Sequence, residues 1–234
     1  MIAKSLSARA PHTAALLGLA ALLACGEPND DASTFEAPSA QLLDAGIVAT
    51  RDAAAPAVVG DCAGDPLATL RRYAPGDAKL AREFEKYLTQ ELGPLTCATS
   101  GTGQARTITQ TIYVPPGAVY DGRGETLTAD VAAMRCDTRA GEGDEGQRPF
   151  FVLAPGASLR NVRFAYPGCE GVHMMGDNEL DHVVWTDVGE DAASVRTYFP
   201  GGKIVIRDSE GHKAGDKMFQ FNAPCDVRIE RFVG

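Results

Sequence analysis

Short apolar stretches recur along the second half of the chain in two interleaved series. One series reads PFFVL (149–153), GVHMM (171–175), DAASV (191–195) and KMFQF (217–221). The other reads SLRNVRF (158–164), ELDHVVW (179–185), KIVIRD (203–208) and DVRIERF (226–232). Each series returns about every 20 to 25 residues, a solenoid period. The pattern predicts an all-β chain folded as a right-handed parallel β-helix, in which the short strands of one coil bury their inner face only when the next coil stacks on them. Strand-type alternation begins at Thr107 with TITQTIYV and continues through AVYDGRGETLTA, with a turn at Asp121-Gly122. The solenoid is therefore placed at 107–234, with AGEGDEGQ (140–147) as a polar loop.

A different period precedes it. In DAKLAREFEKYLTQEL, Leu80, Phe84, Leu88 and Leu92 fall at four-residue steps, with Asp77 as N-cap and Gly93-Pro94 as stop, which predicts one short amphipathic helix. Solenoid ends need covering, so the helix is placed over the open N-terminal end, within a cap region at 61–106. Cys62 and Cys97 flank the helix and are positioned to staple it. Trp185 is expected in the coil wall.

Composition alters the reading at the N-terminus. Lys4 and Arg9 followed by TAALLGLAALLAC read as a signal peptide over 1–24, too short to span a bilayer. Leu22-Leu23-Ala24-Cys25 looks like a bacterial lipobox, with Cys25 as the lipidated residue and the only route to a membrane. Residues 25–60, rich in Ala, Pro and Asp, read as a disordered tether. Export permits disulfides, although the five remaining cysteines cannot all pair within the chain. The net charge of −9, without a basic face carrying aromatics, disfavours nucleic acid. From Ala192 onward seven basic residues face five acidic ones, which suits a polyanionic ligand as well as it suits scattered solvated charge.

The chemistry concentrates between Gly168 and Gln220. Glu170 precedes Gly-Val-His, Glu190 and Asp191 are neighbours in DVGEDA, and Lys217 sits in GDKMFQ. Hard cations such as calcium favour several carboxylate oxygens. Glu190 and Asp191 can share an ion only where the chain turns, which Gly189 allows, and Glu170 lies about one coil earlier and so alongside. The alternative for these acids is a solvated surface with no metal. Lys217 can serve as a base only if neighbouring cations and burial lower its proton affinity. Asp216 can instead pair with it and keep it charged. His173 and His182, read as lying on neighbouring coils, are assigned local stacking or hydrogen bonding in preference to metal ligation.

The ordered set GVH, VxWxDVGEDA and DKxFQ, with VYDGRGETLTA and PGASLRNV upstream, resembles the class III pectate lyases, polysaccharide lyase family three. The resemblance implies a pectin-lyase-like solenoid, calcium bound by Glu170, Glu190 and Asp191, and Lys217 in the catalytic cleft. It implies β-elimination on polygalacturonate by an exported monomer. The chain departs from the pattern at Glu170, where the family carries Asp. The family also continues past the strand equivalent to VRIERF with a further lysine and arginine, so a C-terminally truncated lyase is expected. A non-catalytic polyuronate-binding surface lipoprotein is the alternative.

Overall fold

The computed structural model describes residue 62 and residues 64–136, 146–199 and 202–234. The signal, lipobox and tether readings, and most of the 140–147 loop, lie outside them. The described chain begins with α1 (Pro66–Arg71) and α2 (Ala78–Lys86), the latter passing into a π-helical turn (Tyr87–Glu91). The strands follow: β1 (Leu95–Cys97), β2 (Arg106–Ile108), β3 (Thr111–Val114), β4 (Val119–Ala129), β5 (Pro149–Leu153), β6 (Ser158–Phe164), β7 (Glu170–Met174), β8 (Asn178–Trp185), β9 (Ala193–Val195), β10 (Lys203–Arg207), β11 (Glu210–Gly211), β12 (Phe219–Phe221) and β13 (Asp226–Glu230).

The two sequence series become two sheets. β1-β3-β5-β7-β9-β12 form one, and β13-β10-β8-β6-β4-β2 the other, with β11 beside β8. All ladders between these strands are parallel. The fold is the expected right-handed parallel β-helix, about five turns long. Its first ladder, Leu95 with Thr111, starts ahead of Thr107.

Stacking dictates the core. Ile112, Phe151, Val172, Ala193 and Phe219 form one inward column. Phe151 meets Tyr120 at 4.9 Å and Phe164 at 6.0 Å across the interior. Trp185 is fully buried between Phe164 and Phe219, as the sequence predicts. The outer face of the second sheet is polar and carries a column of alternating charge, Asp121, Arg160, Asp181, Arg207 and Glu230. Opposite charges at directly facing positions favour this register over a slipped one.

The first sheet differs, because β3, β5, β7 and β9 are buried at every residue. The cover is α2 and its π turn. Asp77 caps α2 as expected, accepting from the Lys79 and Leu80 amides at 2.9 Å. The helix does not simply close the N-terminal end. Phe84 packs on Tyr198 and Phe199, and Tyr87 on His173, which places it against the outer face of coils well inside the solenoid. The reason is apolar area: that face offers aromatic and aliphatic side chains whose exposure would cost about 25 cal/mol per Å². Two disulfides fix this arrangement. Cys62–Cys97 ties the helical segment to β1, and Cys136–Cys169 anchors the residue immediately before Glu170.

Candidate functional site

The site grows out of the register of the first sheet. Val172 pairs with Ala193, and Ala193 with Phe219, so two positions back on each strand Glu170, Asp191 and Lys217 form one column. Backbone bonds extend the ladder to that level: the Gly171 amide donates to the Asp191 carbonyl at 2.8 Å, and the Ala192 amide to the Lys217 carbonyl at 3.0 Å. Gly171 permits the approach, since a Cβ there would lie 1.9 Å from the Ala192 carbonyl oxygen. Glu190 sits on the preceding turn, its carbonyl accepting from the Asp216 amide at 3.1 Å. All three acids are buried, and Lys217 is exposed.

Each charge has identifiable partners. Asp191 Oδ1 accepts from the Lys217 amide at 3.2 Å and lies 3.9 Å from its Nζ. Burial raises the Asp191 carboxyl to about 6; Lys217 opposes the rise, and the charges of Glu170 and Asp216 add to it. Burial also acts on Glu170, but His173 and then Arg196 outweigh it and hold that carboxyl below its ordinary value. Glu170 Oε1 bonds His173 Nε2 and accepts from Arg196 Nη1 at 3.4 Å. Arg196 Nη2 reaches Glu91 at 3.3 Å. The Lys217 ammonium pairs with Asp216, the arrangement that keeps it charged. Beside the column a cleft of about 390 Å³ opens, lined by Lys86, Glu91, Arg196, Tyr198 and Gln220.

The donors suit a hard cation. They are carboxylate oxygens, and Asp191 is raised by burial and by the neighbouring Glu170 and Asp216 charges in spite of Lys217, a strain that a bound cation would relieve. They are not closed up: among the described residues, the trio of ligand-type atoms within 4.8 Å of one another is Asp181, His182 and Asp208. That trio lies on the other sheet, where Arg207 takes Asp181 at 2.7 Å and Arg231 takes Asp208 at 2.5 Å and 2.6 Å. Its charge is already neutralised by the side-chain ladder.

The histidines need one correction. His173 and His182 lie on different sheets of one coil, not on neighbouring coils. His182 pairs locally with Asp181 at 2.6 Å. His173 is the partner of Glu170, a role that sequence reasoning missed together with those of Tyr87, Glu91 and Arg196. The spacing Glu170-x-x-His173 is the one local signal that pointed to it.

Comparison with known proteins follows the same residues. A family model described as pectate lyase matches residues 96–234. Probable pectate lyase G of Emericella nidulans is 29% identical over 134 residues, covering 57% of this chain and 49% of that protein. Pectate lyase E of the same organism is 34% identical over 114 residues, 49% of this chain and 42% of its own length. Probable pectate lyase E of Neosartorya fischeri is 33% identical over 124 residues, 52% and 46%. The chain spans about half the length of the curated relatives it matches.

Proposed function

The chain belongs to the pectate lyase family, and from that premise we propose that it cleaves polygalacturonate by calcium-dependent β-elimination, as a class III enzyme. The observation that carries the reading is the column of Glu170, Asp191 and Lys217 on successive coils, with Glu190 on the adjoining turn. Glu170, Glu190 and Asp191 would hold the ion. Calcium, when bound, neutralises the uronate carboxylate and so acidifies the C–H beside it. Lys217 takes that proton. The electron pair of the C–H bond becomes a ring double bond, and the glycosidic oxygen leaves the neighbouring carbon with its bonding pair and takes up a proton, from Lys217 or solvent, with no water added across the bond. Lys217 can accept the proton only once Asp216 and Asp191 no longer hold its ammonium, so both acids restrain the base at rest. An exported monomer, lipidated at Cys25, completes the proposal.

A second reading, a non-catalytic polyuronate-binding surface protein, draws on the Lys217–Asp216 pair, which favours the charged lysine. One experiment separates them. The full chain is incubated with polygalacturonate and calcium, and the ultraviolet absorbance of unsaturated product is followed. The lyase reading expects a rise that a chelator abolishes and that Lys217→Ala reduces by about 10²- to 10⁴-fold. Substrate retention without product, from folded protein, establishes the binding role instead.

A further inference from the structure

The match to the family model begins at residue 96, yet a side chain from ahead of it reaches the carboxylate column. Tyr87 opens the π-helical turn, where the Leu92 amide bonds back to the Tyr87 carbonyl at 3.0 Å. Widened turns of this kind occur mostly as single-turn bulges within α-helices, and frequently at functional sites. The Tyr87 hydroxyl lies 2.6 Å from His173 Nδ1, and the opposite ring nitrogen, Nε2, bonds Glu170. Tyr87, His173 and Glu170 are 0%, 1% and 2% exposed, so water does not compete for these bonds.

The hydrogen-bond roles follow from the ends of the chain of groups. An ionised Glu170 only accepts, which puts a proton on His173 Nε2, and the phenol is the partner of Nδ1. Burial keeps that phenol protonated. A second arm from the same turn acts in parallel, since Glu91 holds Arg196, whose other nitrogen reaches Glu170 and whose guanidinium carbon stands 6.0 Å from the Tyr87 ring centroid.

We propose that Tyr87 and His173 are positioning residues, a two-link brace by which the N-terminal helix fixes Glu170 beside Asp191 for cation binding. The inference rests on the metal reading above and deepens it. Glu170 has a longer side chain than aspartate and more rotamers to lose, and the brace removes that freedom before a cation arrives. The remainder of the Tyr87 ring is held independently, by Phe84, Tyr198 and Phe199 at 6.3, 5.1 and 5.9 Å, so the hydroxyl can be deleted without emptying the packing.

The test uses the full chain, calcium chloride and isothermal titration. Outer-shell partners of metal ligands typically contribute about 10- to 100-fold in affinity, so Tyr87→Phe is expected to weaken calcium binding about 10-fold while remaining folded in chelator, its melting temperature lowered by a few degrees as the buried His173 Nδ1 loses its partner. The imidazole ¹⁵N spectrum supplies a readout that packing alone would not move: the His173 Nδ1 resonance is expected to shift in Tyr87→Phe as the phenol contact is lost. His173→Gln, which can present an amide N–H to Glu170, recovers more affinity than His173→Leu. Equal or tighter calcium binding by Tyr87→Phe overturns the brace. If the unaltered chain binds no calcium, the metal reading fails and the brace with it, an outcome distinct from unaltered affinity in the variant.

Discussion

Replacing Asp191 with Asn separates what the acid column costs the fold from what it does with a cation. The side chain is 2% exposed, and its bond from the Lys217 amide survives the change because an amide oxygen also accepts. Burial, with the Glu170 and Asp216 charges, raises the carboxyl to about 6 against an ordinary value near 4. The sign follows from proton counting. Between about pH 4 and 6 the native state holds a proton that the unfolded chain has released, so this group's contribution to stability is full below pH 4 and is lost as pH rises through 6. The full displacement corresponds to roughly 3 kcal/mol. That displacement already contains the opposing Lys217 pairing, so no separate allowance for losing it is due.

In chelator at pH 8, Asp191→Asn is therefore expected to be more stable than the unaltered chain by about 3 kcal/mol, and close to it at pH 4. Calcium at 100 times its dissociation constant should then add about 2.7 kcal/mol to the unaltered chain and little to the variant. Urea unfolding at the two pH values, with calcium and with chelator, reads all four quantities. A variant less stable than the unaltered chain in chelator at pH 8 would refute the reasoning, because Asp191 would then be a structural anion without strain.

Two further substitutions test the scaffold that brings the acids together. Gly171→Ala sets a methyl 1.9 Å from the Ala192 carbonyl oxygen, a backbone atom that cannot swing aside, so a loss of about 3 kcal/mol is expected, with calcium uptake falling as the column opens. A variant with unchanged urea midpoint would show that the two coils slide freely. Trp185→Ala removes a fully buried ring between Phe164 and Phe219 and should cost about 3 to 5 kcal/mol. Trp185→Phe should cost clearly less, since the indole N–H has no hydrogen-bond partner among the described residues; equal losses would mean that the N–H is satisfied by water.

Stacking made the strands and the column legible. In a parallel solenoid the neighbour across a ladder is fixed by the coil length, so Glu170 and Asp191, one coil apart, had to meet, and Lys217 joined them one coil later. The helix was legible from its own period and its Asp77 cap. Its placement was not, because Tyr87 meets His173 across 86 residues and no local periodicity encodes such a contact. The brace on Glu170 and the pairing of Cys136 with Cys169 stayed hidden for the same reason.

One signal for the helix's true position was nevertheless present. SLRNVRF alternates polar and apolar residues, as a strand with one wet face must, whereas PFFVL and GVHMM are apolar almost throughout and match strands buried on both faces. The first sheet thus needed an outer cover along several coils, not a lid at one end. Among the segments outside the coils, the stripe of Leu80, Phe84, Leu88 and Leu92 was the strongly amphipathic one available to supply it. A helix recruited to hide that face necessarily crosses the strand that begins at Glu170. In this fold, therefore, the demand for apolar cover and the contact with the acid column have a single cause.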